Sequence, residues 1–321
     1  MNRLQANLCL LCVTLCWSAE VVLYACIPKG VPSFATSCVT SFTGAALLFF
    51  PFRARLAAAV REGGRRFVGA AFGLAALNAI YNTLYFHGTK SFDVASGAFT
   101  FCMTVVVLPV VLLTLRRSVA LETWISVALV LAGIVLALGP SLRASQMQGL
   151  AIMGAGCLLR AVSIVWLADT AKRCDPLSLA ILLLVFAGAI SLVGWTAESP
   201  RLFLSLPRSR TLVASWAIYA YFIVAFAQTL NVFALRRVTA ANATVVYSLE
   251  IVFSIAWGVL LPAGIVDRVT LTPRIALGAA LVVAGSLAEI ADFRGRRRET
   301  EREGCSEAAA RDAANEKEAG V

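Results

Sequence analysis

Long apolar runs separated by short polar or Pro- and Gly-containing breaks set the pattern of this chain. They lie near residues 4–27, 34–52, 67–86, 94–115 and 121–138, and again near 150–167, 177–195, 212–235, 241–261 and 275–290. A hydrocarbon core about 30 Å thick is crossed by roughly 20 mostly apolar residues in helical form. Because these runs are continuously apolar and do not alternate with period two, they predict helices and not the strands of a barrel. The expected fold is therefore an all-α membrane protein with ten transmembrane helices. The first run follows Asn2 and Arg3 in the manner of a secretory signal; the repeat described below requires it as a helix.

Composition narrows the class. Of 321 residues, 60% are apolar and 14% charged, and the mean hydropathy is +0.82, which excludes a soluble enzyme. The single His leaves little for imidazole chemistry, and nine Cys spread along apolar runs do not form a secreted disulfide framework. Cys9, Cys12 and Cys16 share a helical face, read as core packing because no His or further Cys completes a soft-metal site. No HExxH and no Gly-Asp aspartyl pair occur, and the spacing of His87 to Asp93 is not that of a membrane acyltransferase. No enzyme, cofactor or metal is expected. No filter-like run suggests a channel; a receptor or scaffold is the alternative to transport.

Charge gives an orientation. With ten crossings, 19 of the 28 Lys and Arg fall with the termini and the even-numbered loops, eight fall on the other side, and Arg160 sits inside a helix. The positive-inside rule then puts both termini in the cytoplasm, as in a plasma (inner) membrane protein. Topology accounts for most of the net charge of +10, so nucleic acid is not an expected partner. The tail, residues 293–321, is charged and Ala-rich without an apolar stripe and is expected to be disordered.

The chain also repeats itself. An offset of 146 aligns Asn82-Thr83-Leu84 with Gln228-Thr229-Leu230, Lys90 with Arg236 and Val106 with Val252; after a six-residue insertion, LVLAGIVLA from Leu129 matches LVVAGSLAE from Leu281. Ala128 and Ala132 fall on Ala280 and Ala284, small pairs that allow helices to approach. Residues 1–141 and 142–292 thus read as two five-helix units. Five is odd, so the second unit enters from the opposite side and the repeats are inverted, an arrangement that places a substrate site near the midplane.

These residues resemble the drug/metabolite transporter superfamily with paired EamA-type domains, over about residues 5–291. The resemblance is carried by LCVTLCWSAEVVL in helix 1, VVYSLEIVFSIAWGVLL in helix 9 and AALVVAGSL in the closing helix, although Ile251 stands where the family commonly has Pro. It implies a ten-helix carrier that works by alternating access.

Three ionisable residues lie well inside the apolar runs: Glu20, Arg160 and Glu250. Such groups usually face a cavity or a partner. Helical spacing groups Trp17 with Glu20, Tyr247 with Glu250, and Asn78, Tyr81, Asn82 and Tyr85 as one stripe; Tyr221, Gln228 and Asn231 form a looser band on helix 8, and Thr104 is a further candidate on helix 4. The Ser and Thr of helices 2 and 4 read mainly as interhelical hydrogen-bonding groups. Arg160 is expected to pair with a substrate carboxylate or with one Glu, while the other Glu exchanges a proton. The expected partners are the bilayer, a small organic substrate (amino-acid-like in the first instance) and protons, and the chain is compatible with a homodimer. A sugar, nucleotide-sugar or phosphorylated-metabolite antiporter is the alternative; it would want more basic residues at the centre.

Overall fold

The structure is a computed structural model that describes residues 3–28, 31–89, 103–117, 119, 121–138, 144–199, 206, 209–261 and 271–285. The tail 293–321, the boundary near 141 and the side chain of Tyr85 lie outside the described residues. Every element among the described residues is a helix. In chain order they are α1 (Arg3–Ser18), α2 (Glu20–Ala25), α3 (Ser33–Thr89), α4 (Met103–Thr114), α5 (Leu121–Leu138), α6 (Ala144–Arg173), α7 (Pro176–Glu198), α8 (Arg210–Leu235), α9 (Ala240–Tyr247), α10 (Glu250–Leu260) and α11 (Pro273–Gly285). Among the described residues, five helical spans, Phe34–Leu84, Met147–Arg173, Pro176–Glu198, Arg210–Leu235 and Ala240–Leu260, are long and apolar enough to cross a membrane.

Local chemistry explains several boundaries. Asp175 caps α7 by accepting a hydrogen bond from the Ser178 backbone N–H, with Pro176 in the first turn; Pro has no N–H to leave unsatisfied there. Thr239 caps α9 in the same way through Asn242 N–H. The predicted second and third runs are continuous as α3, interrupted by non-helical dihedrals at Phe52, after Pro51, and at Gly64 with φ of 54°. Gly tolerates that left-handed conformation without a Cβ penalty. The arginine-rich segment between the two breaks is therefore helical, where the sequence suggested only a connecting loop. Its Leu56, Ala59 and Val60 pack on the core while Arg53, Arg55 and Arg61 stay exposed.

α3 packs most extensively against α7 and next against α6. α3 and α7 run antiparallel: Ser37 and Ser191 share a hydrogen bond of 2.9 Å at one end, and Arg55 pairs with Asp175 at 2.6 Å at the other. On α7 the helix from Pro176 to Ser191 is unbroken and spans about 23 Å, most of a hydrocarbon thickness. The Ser37–Ser191 bond is the interhelical role expected for helix 2 hydroxyls.

Near the Arg55–Asp175 end, a large apolar cluster closes the bundle, with Leu10, Leu74, Leu108, Leu179, Leu183 and Leu235 all nearly inaccessible. A smaller cluster joins α4, α5, α9, α10 and α11 through Val105, Val130, Val245, Ile251 and Val282. α5 and α11 meet through glycines: a Cβ on Gly133 would stand 2.6 Å from the Gly278 carbonyl oxygen, and one on Gly285 would stand 2.8 Å from that of Ser126. The expected small-residue contact is present but one position away, since Ala128 and Ala132 are exposed.

Candidate functional site

Two helix breaks create the site. The helical path of the first apolar run is interrupted at Ala19, so Glu20 opens α2, and that of the ninth is interrupted at Ser248–Leu249, so Glu250 opens α10. The breaks keep local backbone bonds: the Ala19 N–H reaches the Cys16 carbonyl, and those of Ser248, Leu249 and Ile251 reach the carbonyls of Thr244, Val246 and Ser248. Both acids face a cavity of about 440 Å³.

The wall is drawn from many helices. Trp17 and Glu20 contribute from the first run, and Ser37, Thr40 and Ser41 from the start of α3. Asn78, Tyr81 and Asn82 come from the later part of α3, Arg160 from α6, Gln228 from α8 and Glu250 from α10. Eight of the twelve candidate residues thus meet at one cavity, and they come from both sides of residue 141. The lining on α7 runs from Leu183 to Glu198 and that on α3 includes Phe34. The cavity therefore occupies the half of the bundle toward the Ser37–Ser191 end, and the apolar cluster seals the half toward Arg55–Asp175.

Arg160 is only 6% exposed. Its Nη2 lies 3.8 Å from Glu250 Oε2, and its guanidinium carbon stands 5.8 Å from the centroid of the Trp17 ring. Trp17 in turn leans on Tyr247, with ring centroids 5.2 Å apart, and the Tyr247 hydroxyl donates to Asn231 Oδ1. Asn231 and Tyr247 are buried and do not line the main cavity; they support Trp17 from behind. Thr104 and Tyr247 line a small adjoining pocket shared with Arg160 and Glu250. Asn78 is fixed by a 2.7 Å hydrogen bond from the Ser163 hydroxyl.

Tyr221 is a correction. It is 55% exposed, packs edge-on against Phe222 and lies off the cavity. Its place is taken by Tyr219, whose hydroxyl donates to Glu20 Oε1 at 2.5 Å. The reason is a π-helical stretch, Tyr219–Ala227, within α8. In an α-helix of 100° per residue, Tyr221 shares a face with Gln228. The wider π turn, roughly 82° per residue, instead brings Tyr219 round to the Gln228 face and turns Tyr221 away. Nothing in YAYFIVAFA announces the wider turn, so periodicity alone selected the wrong tyrosine.

No family model matches the chain, and no curated protein does. Twenty-eight chains of solved structures are similar to it. One, described only as "Crystal structure of protein", superposes with a TM-score of 0.70 at 18% identity, over 92% of this chain and 99% of its own length. At that identity the likeness shows the fold alone.

Proposed function

We propose that this protein is a secondary active transporter that moves a small organic metabolite, in the first instance an amino-acid-like solute, by alternating access in a plasma membrane with both termini cytoplasmic. The observation that carries the reading is the cavity itself. It is large enough for a metabolite, lies within the range of about 300–1,000 Å³ usual for small-molecule sites, and collects three carboxylates, a guanidinium and several amides and phenols inside an apolar bundle. Ionisable groups at such a depth are costly and mark substrate or ion pathways. The inverted repeat of residues 1–141 and 142–292, and with it the resemblance to the EamA-type drug/metabolite transporters, supplies the mechanism: two equivalent packings expose the same site to opposite faces. Proton coupling through Glu20 or Glu250 supplies the driving force.

The decisive experiment is counterflow. Proteoliposomes loaded with a metabolite mixture are expected to exchange at least one solute faster than protein-free vesicles. A complete lack of exchange across the library, with the protein folded and oriented, rejects transport. Tags at the two ends are expected to be protected and exposed together; if they lie on opposite faces, the inverted repeat is wrong.

A further inference from the structure

We infer that the group this site recognises is a cationic nitrogen: the solute is a small amine held as its ammonium by Glu20 among aromatic walls, and not an anion held by Arg160. The inference rests on the transporter reading and specifies its substrate class.

The argument begins with charge. The described residues lining the cavity include three carboxylates, Glu20, Glu198 and Glu250, and one basic group, Arg160. Glu198 is exposed at the end of α7. Deeper in, among the described residues, two carboxylates face one guanidinium, and Glu250 is the one paired with it. An entering anion competes with Glu250 for that guanidinium, whereas an entering monocation can pair with ionised Glu20.

Arg160 is, moreover, already engaged. Glu250 lies 3.8 Å from its Nη2 and the Trp17 ring stands 5.8 Å from its guanidinium carbon, with Tyr247 and Asn231 packed behind that ring. A substrate carboxylate reaching Arg160 would compete with Glu250 for the guanidinium, and displacing that Glu would leave a buried carboxylate behind, a costly exchange. Of the two partners expected for Arg160 from the sequence, a substrate carboxylate or one Glu, the geometry favours the Glu.

Glu20 is placed differently. Its Oε1 accepts from the Tyr219 hydroxyl, a neutral donor that orients the carboxylate without cancelling its charge. Tyr81 and Phe34 line the same cavity. A carboxylate in a cavity that aromatic side chains also line can take an ammonium through ion pairing, with cation–π attraction available from the rings.

The test uses charge-matched probes on the wild-type protein, so it needs no variant to fold: 2-phenylethylamine as cation, phenylalanine as zwitterion and N-acetylphenylalanine as anion. In thermal-shift titrations the amine is expected to bind about tenfold or more tightly than the acid, with the zwitterion between them. Glu20→Gln, which keeps an acceptor for Tyr219, is expected to abolish that preference, and Glu20→Asp to retain it. Equal binding of all three probes, a preference for the N-acetylated acid, or no binding by the amine overturns the inference. Counterflow separates the two levels: exchange of some solute without amine preference removes the cation assignment and leaves transport standing, whereas no exchange of any solute removes the transporter reading itself.

Discussion

The hydroxyl of Tyr219 donates to Glu20 Oε1 at 2.5 Å, joining residues 199 positions apart across the cavity wall. A hydrogen bond to a charged group contributes about 1.5–3 kcal/mol. Tyr219→Phe is therefore expected to lower thermal stability in detergent by about 1–2 kcal/mol and to weaken solute binding, while Tyr221→Phe leaves both unchanged. If the two variants behave alike, the π-helical register of α8 is not what orients Glu20.

Arg160 and Glu250 form the most buried ion pair among the described residues, with side chains 8% and 16% exposed. Removing one partner of such a pair costs about 3–5 kcal/mol because the other charge is stranded; removing both costs less. Arg160→Ala is expected to destabilise more than the Arg160→Ala, Glu250→Ala double variant, measured by thermal denaturation. A double variant that simply sums two independent losses would show that the pair is not coupled.

Proton coupling makes a separate demand. Glu20→Gln or Glu250→Gln is expected to make solute uptake into proteoliposomes insensitive to an imposed pH gradient while leaving gradient-free exchange measurable. If both variants keep the wild-type pH response, neither carboxylate carries the proton.

Asp175 links electrostatics to the closed end of the bundle. Burial opposes its ionisation, but hydrogen bonds from Arg55 and Ser178 outweigh that and hold its carboxyl below the usual aspartate range. A lowered folded value means that the stabilisation is complete above about pH 4 and is lost as pH falls through the folded value. With Arg55 half exposed, the ion pair itself contributes only about 0.5 kcal/mol. Asp175→Asn is expected to remove this acid-range slope while keeping the cap, and Asp175→Ala to cost about 1 kcal/mol more through the lost cap. If the stability advantage of wild type over Asp175→Asn does not shrink as pH falls from neutral through the aspartate range, the assignment is rejected.

Gly133→Ala and Gly285→Ala place a Cβ against backbone carbonyl oxygens at 2.6 and 2.8 Å. Each is expected to push α5 and α11 apart at a cost of about 1–3 kcal/mol. Gly154→Ala meets nothing within 4 Å and is expected to be tolerated. Equal melting temperatures for all three would mean that α5 and α11 do not pack as described.

Much of the architecture was legible because membrane folding reads local chemistry. A run that must satisfy its own backbone in lipid has to be helical, so the apolar runs located the helices, and Glu20, Arg160 and Glu250 stood out because charge inside such runs is rare. Asn78, Tyr81 and Asn82 line the cavity together because α3 is regular there. Tyr219 was missed because a change of helical pitch leaves no trace in polarity. Trp17 was found by its spacing from Glu20, but its placement against the Arg160 guanidinium was not.

By itself, then, the sequence determined that the chain is helical and membrane-compatible, and which few polar groups are carried into the apolar interior; both follow from the solvation cost of backbone and charge. Only the tertiary structure decided which of those groups meet, that Arg160 is held by Glu250 and Trp17 while Glu20 takes Tyr219, and which end of the bundle the cavity approaches. Those outcomes depend on helix breaks, pitch and packing between segments more than a hundred residues apart, where hydrophobic pattern is the same for many registers and close packing selects one.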